Sequence, residues 1–406
     1  MKIFALLSLL AFNINVSAQS PIRPGDRIAI VGNTFADQLR IHGYLESLLL
    51  QHSKENPVSI RNLGWGGDML TARDRPTNFP SEASTLTDHK TDVIIACFGF
   101  GESFAGEAGL TDFKNDLKDF ITSHSGKTYN GTSKVRLILV SPIAYEDLAR
   151  TTPNLEKRNS ELKAYSQAVG EVAQEAKLPF VNLYDPSRYL MDEEGPKLTT
   201  NGVHLTPYGY WAISQHFAAQ LLATQDYEKW QLTIDAKAGT GTATGVELSQ
   251  IKSTDGSLHF RVKEQSAPSL APPIDADLPP QLTARRDTLV VRDLKPGTHT
   301  LSIDGTKITS ATHSAWSKGI PIDSSPTHQA AETYRELIND KNRQFVYSWK
   351  ALNQVHIVGE RRSSPSGKAL PAEVIAFNKL AKQRDEDLRK GIQLKTRDWK
   401  LTPTSK

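Results

Sequence analysis

The residues able to do chemistry in this chain gather in four short segments. Gly32-Asn33-Thr34 ends an apolar run. A hydroxyl at a strand-to-helix turn sits near a helix N-terminus, where it serves as a nucleophile, an anion contact or simply a helix cap. Asn62-Leu63-Gly64-Trp65-Gly66-Gly67-Asp68 holds three glycines in four positions. Such a loop lets backbone N–H groups approach a ligand, as part of an oxyanion hole or as a plain turn. Phe98-Gly99-Phe100-Gly101-Glu102 is another glycine-bearing loop, and Asn201-Gly202-Val203-His204 places an imidazole just ahead of a helix. A lone histidine is more often structural than catalytic. One in the same loop layer as a hydroxyl and two glycine loops is a stronger candidate for a general base.

The elements that must position these segments follow from hydrophobic patterning. Residues 25–224 alternate strand-like and helix-like stretches. Arg27–Gly32, Val58–Leu63, Asp92–Phe98, Val135–Val140 and Phe180–Leu183 read as strands, mostly short, apolar and β-branched. Ala36–Gln51 and Leu110–Ser123 read as helices, and Leu155, Leu162, Tyr165, Val169, Val172 and Ala176 form one apolar helical face. Thr206-Pro207 supplies an N-cap and a first-turn proline to a helix over Tyr208–Leu222. Alternation of this kind predicts a parallel sheet covered on both faces, with function in the loops after the strands' carboxyl ends. All four segments fall there, or at the start of a helix in the same layer.

The second half changes character. Trp230–Lys237 and Ser257–Lys263 alternate as half-buried strands do, and Ser266–Pro280 is proline-rich, as a linker or long loop is. Leu289–Ile308 holds two strands around a Lys-Pro-Gly turn and an Asp304-Gly305 hairpin signal. Helices return over Thr327–Leu352 and Pro371–Lys390, and the basic tail beyond reads as solvated. The expected division is a signal peptide at 1–18, an α/β domain at 19–225, a β-rich region with a Pro-rich linker at 226–310 and a helical region at 311–406.

Composition narrows the function. The 406 residues carry 48 basic and 45 acidic side chains, a net charge of +3, too little basic excess for a dedicated nucleic-acid binder. The single cysteine, Cys97, excludes an intrachain disulfide framework and a zinc site built on several thiolates; it lies in a strand pattern as a core thiol. Lys2, the apolar stretch Ile3–Val16 and Val16-Ser17-Ala18 fit a cleaved signal, so the mature chain is expected to begin at Gln19, secreted or periplasmic, with no stable membrane insertion. Lack of disulfides suits a bacterial envelope.

In order and spacing the four segments resemble the SGNH/GDSL hydrolase family over about residues 25–224, and the whole chain resembles long secreted members. The resemblance implies a three-layer α/β/α fold with a five-stranded parallel sheet, followed by a smaller β-rich and helical region. It implies ester hydrolysis, on a small-molecule or glycan ester such as an acylated carbohydrate, with no metal and no cofactor. Thr34 then stands where the nucleophilic serine belongs, Gly67 matches the backbone oxyanion donor, and His204 matches the base. Gly101 stands where an oxyanion asparagine is expected, and Asn201 where an aspartate orients the histidine. Three of these five positions depart from the pattern. Threonine keeps a hydroxyl but adds a methyl that restricts its rotamer. Losing an oxyanion donor costs roughly 10²–10³ in rate, and a triad Asp-to-Asn change roughly 10⁴, although such losses do not multiply. Asn62 is a candidate replacement donor, and Asp68 and Glu102 are nearby acids. Two readings follow: an esterase with a threonine nucleophile, or a catalytically impaired member that holds a glycan or lipid in the same cleft.

Overall fold

The computed structural model describes residues 20–52, 55–75, 79–224, 229–353 and 363–404. The expected signal peptide, its cleavage site and the first mature residue lie outside the described residues.

The apolar runs pair as one parallel sheet. Its strands are β1 (Arg27–Gly32), β2 (Ser59–Asn62), β3 (Val93–Cys97), β4 (Arg136–Val140) and β5 (Phe180–Val181), in the order β2-β1-β3-β4-β5. Alternate side chains of β1 enter opposite cores: Ile28 and Ile30 on one face, Ala29 and Val31 on the other. The first face is covered by α1 (Thr34–His42), α2 (Tyr44–His52) and α7 (Pro207–Leu221) through Leu39, Leu49 and Phe217. The second is covered by α3 (Glu82–His89), α4 (Leu110–His124) and α5 (Leu155–Ala176) through Leu86, Phe113 and Val172. The short α6 (Tyr184–Asp192) precedes α7. This is the expected three-layer α/β/α arrangement.

The helix expected over Ala36–Gln51 is two helices. Gly43 sits between them at φ +66° and its N–H closes α1 on the Leu39 carbonyl at 3.2 Å, a left-handed stop that glycine tolerates.

Two further sheets share a third core. One runs β13 (Ile320–Pro321), β10 (Thr288–Arg292), β6 (Gln231–Asp235), β7 (Thr240–Thr244). The other runs β12 (Thr306–Thr312), β11 (Thr298–Ile303), β14 (Arg397–Pro403), β9 (Ser257–Glu264), β8 (Val246–Thr254). The short helix α8 (Pro280–Thr283) precedes β10, and the short helix α9 (His313–Lys318) follows β12. The basic tail is therefore not solvated. Trp399 and Leu401 alternate with charged residues, are buried, and seat β14 in the middle of a sheet, Trp399 opposite both Phe260 and Ile303. Period-2 alternation among lysines and arginines is a strand signal hidden by charge.

Nor is the proline-rich segment loose. Leu270 is buried in the first core, its carbonyl accepts from Trp211 Nε1 at 2.9 Å, and Ser269 N–H donates to Asp287 at 2.9 Å.

The long helices α10 (Pro326–Trp349) and α11 (Pro365–Leu388) pack on the α/β unit, while β14 after them returns to the β-rich part. α11 begins at Pro365, ahead of the expected Pro371, because Ser364 caps it by accepting from Gly367 N–H. Glu46 of α2 is buried in this junction. It pairs with the fully buried Lys341 of α10 and accepts from Asn342 at 3.0 Å. Among the described residues no helix is long and apolar enough to cross a membrane.

Candidate active site

Strands β1 and β3 end side by side, and Gly32 makes this possible. At φ +137° any Cβ there would run into the Cys97 carbonyl. The chain then turns straight into α1. Asn33, not Thr34, caps that helix, its Oδ1 accepting from Phe35 N–H at 3.1 Å. Thr34 is thus the first helical residue and its hydroxyl is not used as a cap. It accepts from the Gly67 N–H at 3.2 Å.

Thr34, Gly67, Gly101 and His204 line one cavity of about 160 Å³, whose wall also includes Phe35, Phe100, Ile143, Val203 and Tyr210. An apolar cavity of roughly 150 Å³ holds a benzene-sized group. The Cys97 thiol reaches the wall but is buried, and burial pushes its ionisation well above the ordinary thiol range. Burial does the same to the Tyr210 phenol.

The Gly67 loop is tied on two sides. Glu102 accepts from Leu70 N–H and Gly99 N–H, both at 2.9 Å, and so bridges the two glycine loops. Asp68 takes a bidentate contact from Arg75 at 2.9 and 2.6 Å. Burial raises both carboxyls; the backbone donors oppose that for Glu102 and Arg75 opposes it for Asp68. Both acids are committed to holding loops rather than to the imidazole.

Asn62 is not brought to the cavity. Its side chain is buried, Nδ2 donates to the Ala36 carbonyl at 2.6 Å, and Oδ1 accepts from Gly64 N–H at 2.9 Å. The expectation that it serves the oxyanion is corrected: an asparagine at a strand end satisfies the turn that follows it. Gly101 does reach the wall, but a Cβ there would lie 2.6 Å from Met69 Cγ. The Met69 side chain fills the space a longer residue at 101 would need.

His204 is exposed and faces Asn201. Its Nδ1 lies 2.9 Å from Asn201 Nδ2 and 3.1 Å from Oδ1. Asn201 Oδ1 also accepts from the His204 N–H at 2.9 Å and the Val203 N–H at 3.3 Å. An amide presents both a donor and an acceptor, so it accommodates either imidazole tautomer, whereas a carboxylate selects the one with a proton on Nδ1.

Sequence reasoning missed what holds this loop. Glu146, fully buried, accepts from Leu198 N–H (3.0 Å), Thr199 N–H (2.7 Å) and Thr199 Oγ1 (2.6 Å), while its own N–H donates to Gly202 at 3.0 Å. No local pattern marks it, because its partners lie over fifty residues along the chain. His42, on α1, stacks on Tyr210 with centroids 4.5 Å apart, and burial lowers its ionisation to about 4.

A Ser–His–Asp set does occur elsewhere in the chain, in the interior. Ser325 Oγ lies 2.7 Å from His328 Nδ1, and His328 Nε2 lies 3.1 Å from Asp287. All three are buried, and Asp287 also accepts from Trp230 N–H at 2.7 Å. It ties the start of α10 to Trp230, just ahead of β6, within the interior.

Residues 25–212 match the model of the GDSL-like Lipase/Acylhydrolase family. Among solved structures, a gut microbial diltiazem-metabolizing enzyme superposes with a TM-score of 0.69 at 16% identity, over 95% of this chain and 100% of that one. The shared fold therefore extends through the β-rich and helical parts. A catalytic mutant of Axe2, an acetylxylan esterase from Geobacillus stearothermophilus, matches at a TM-score of 0.38 and 15% identity, over 49% of this chain and 95% of that one. No curated protein matches the sequence.

Proposed function

We propose, from the premise that residues 25–212 form a GDSL-like lipase/acylhydrolase domain, that this protein hydrolyses esters of small acyl groups with Thr34 as nucleophile and His204 as base. One observation carries the reading: Thr34, Gly67 and His204 line one cavity, and the Gly67 N–H is aimed at Thr34 Oγ1.

In the proposed reaction Thr34 Oγ1 attacks the ester carbonyl carbon and its proton passes to His204. The Gly67 N–H, with the backbone N–H of Thr34, moves onto the developing oxyanion. Collapse expels the alcohol, which takes the proton from His204. Water then attacks the acyl-threonine, His204 removes its proton and returns it to Thr34, and the carboxylic acid leaves. Asn201 orients His204.

The size and apolar lining of the cavity support an acyl group of a few carbons. Beside it, Phe104 is 67% exposed, packs edge-on against Phe100 at 5.7 Å and is covered by the Arg158 guanidinium at 4.0 Å. A rigid exposed ring of this kind suits a ring-bearing alcohol, including an acylated sugar. Export, to the periplasm or outside, belongs to the same proposal and rests on the N-terminal sequence.

A second reading is a catalytically impaired protein that binds a glycan or lipid. The Met69 side chain in the space beside Gly101 and the tautomer-neutral Asn201 favour it.

The test is hydrolysis of 4-nitrophenyl acetate and longer esters by the purified protein, beside His204→Ala and Thr34→Ser. Turnover that is lost in His204→Ala and raised in Thr34→Ser supports the enzyme. Rates equal to buffer in all three proteins sink it, and ligand binding that survives His204→Ala then supports the binder.

A further inference from the structure

The glycine loop that presents Gly67 has a further support, from more than 280 residues away in the chain. Lys350 caps the C-terminal end of α10, and its Nζ donates to Asp37 Oδ1 at 2.7 Å. Asp37 lies one helical turn beyond Thr34 on α1. The same ammonium stands 4.7 Å from the ring centroid of Trp65, two residues before Gly67. Arg75 covers Trp65 at 4.4 Å while holding Asp68. Trp349 completes the enclosure, edge-on to Trp65 at 5.6 Å and to Phe79 at 5.5 Å.

Helix α10 is itself pinned to the strand that feeds this loop. Lys341 Nζ donates to the Ile60 carbonyl of β2 at 2.8 Å and pairs with Glu46. From α11, Asp385 pairs with Arg61 of β2 at 2.6 Å. Removing one member of a buried pair is strongly destabilising, so such contacts fix one placement of the helices. Had the helical hairpin served stability alone, its contacts could end on β2. They continue, past the strand, onto both the helix that carries Thr34 and the loop that carries Gly67.

We propose that the Lys350–Trp349 end of α10 is a positioning device that locks the Gly64–Asp68 loop against α1, setting the Gly67 N–H where the oxyanion forms. The proposal rests on the esterase reading for its catalytic consequence, though not for the clamp. Lys350 is a positioning residue: it acts through Asp37 and Trp65. Cation–π and charged contacts in a partly desolvated site hold side chains in one geometry, and small misplacement of an oxyanion donor is costly in rate.

The test compares Lys350→Met, which keeps the stem and removes the charge, with Lys350→Arg and with Asp37→Asn, which removes the partner. Lys350→Met and Asp37→Asn are expected to lower kcat about tenfold with KM within about twofold, a fraction of the loss expected for removing a donor outright. Lys350→Arg is expected to recover most of the rate. Amide hydrogen exchange is read in the same proteins. Exchange over residues 64–70 is expected to speed up by about tenfold in Lys350→Met while α7 stays protected. Unchanged exchange over 64–70 overturns the clamp whether or not the protein is an esterase. Faster exchange there without any wild-type ester turnover leaves the clamp standing and removes the esterase reading. A loss of kcat that Lys350→Arg does not recover, or exchange that quickens equally in α7, shows a merely structural role and overturns the proposal.

Discussion

Asn201→Asp tests the proposed mechanism most directly. In the structure Nδ1 of His204 stands almost equally far from the amide nitrogen and oxygen of Asn201, at 2.9 and 3.1 Å. If both tautomers are populated alike, selecting the useful one gains only about twofold. The larger gain comes from charge. As His204 takes up a proton in the transition state, a carboxylate in place of the amide sets a full negative charge against the imidazolium where the amide offers only a dipole. A hydrogen bond to a charged group contributes about 1.5–3 kcal/mol. At 1.36 kcal/mol per decade that is about 10- to 150-fold in rate. Both residues are exposed, so water screens the pair and the expected rise is about 10- to 30-fold. The substitution should not disturb the loop, because an aspartate still accepts the two N–H groups that Oδ1 now accepts. The assay is kcat/KM on 4-nitrophenyl acetate, with Tm as a check on folding. A rate unchanged or lowered at unchanged Tm refutes the assignment of Asn201 as the group that orients a His204 base.

Three other outcomes follow from the same geometry. Gly101→Asn alone must displace Met69, whereas Gly101→Asn with Met69→Ala opens the space; the double variant is expected to exceed the single one in kcat by about tenfold, and equal rates would show that the slot does not face the oxyanion. Glu146→Gln leaves an amide facing donors now held by a carboxylate, a loss of about 2–4 kcal/mol that should lower Tm by at least about 4 °C together with activity, measured by calorimetry and ester turnover. Acid should weaken the fold before its carboxylates titrate. Burial lowers His89 to about 3 and His216 to about 4 from 6.5, so the unfolded chain binds more protons between these values, and stability is lost as pH falls below 6.5. At pH 5 each histidine contributes a loss of about 2 kcal/mol. The buried Glu46 and Glu102 are raised and act in the opposite sense, so the difference between wild type and His216→Phe in urea midpoints at pH 7.5 and pH 5 isolates one histidine; an identical pH dependence in both proteins contradicts its burial as the neutral form.

The α/β unit was legible because its signals are local. Five apolar runs with helical stretches between them suffice to specify a parallel sheet, and β1, β3 and β4 match their sequence bounds to within a residue or two at each end. Thr206-Pro207 capped its helix as the pattern requires. That Thr34, Gly67, Gly101 and His204 would share one cavity was readable because loops after parallel strands converge on one edge of the sheet, so position along the chain maps to position in space. Asn62 was misplaced because its residue type suits both an oxyanion and a turn, and only its burial decides between them. The tail failed differently: Trp399 and Leu401 are two apolar residues in a basic stretch, and what makes them a strand is the pair of neighbours that flank β14.

What the sequence determined by itself is therefore the parallel sheet, the loop layer and the residue types placed in it, since each depends on periodicity and turn chemistry within a few residues. Only tertiary structure decided that Asn33 rather than Thr34 caps α1, that Met69 fills the Gly101 slot, that Glu146 anchors the His204 loop and that Lys350 reaches Asp37 and Trp65. Each of these joins atoms that no local rule connects. Burial and distance select among residues of equal chemistry, and both quantities exist only once the chain has closed on itself.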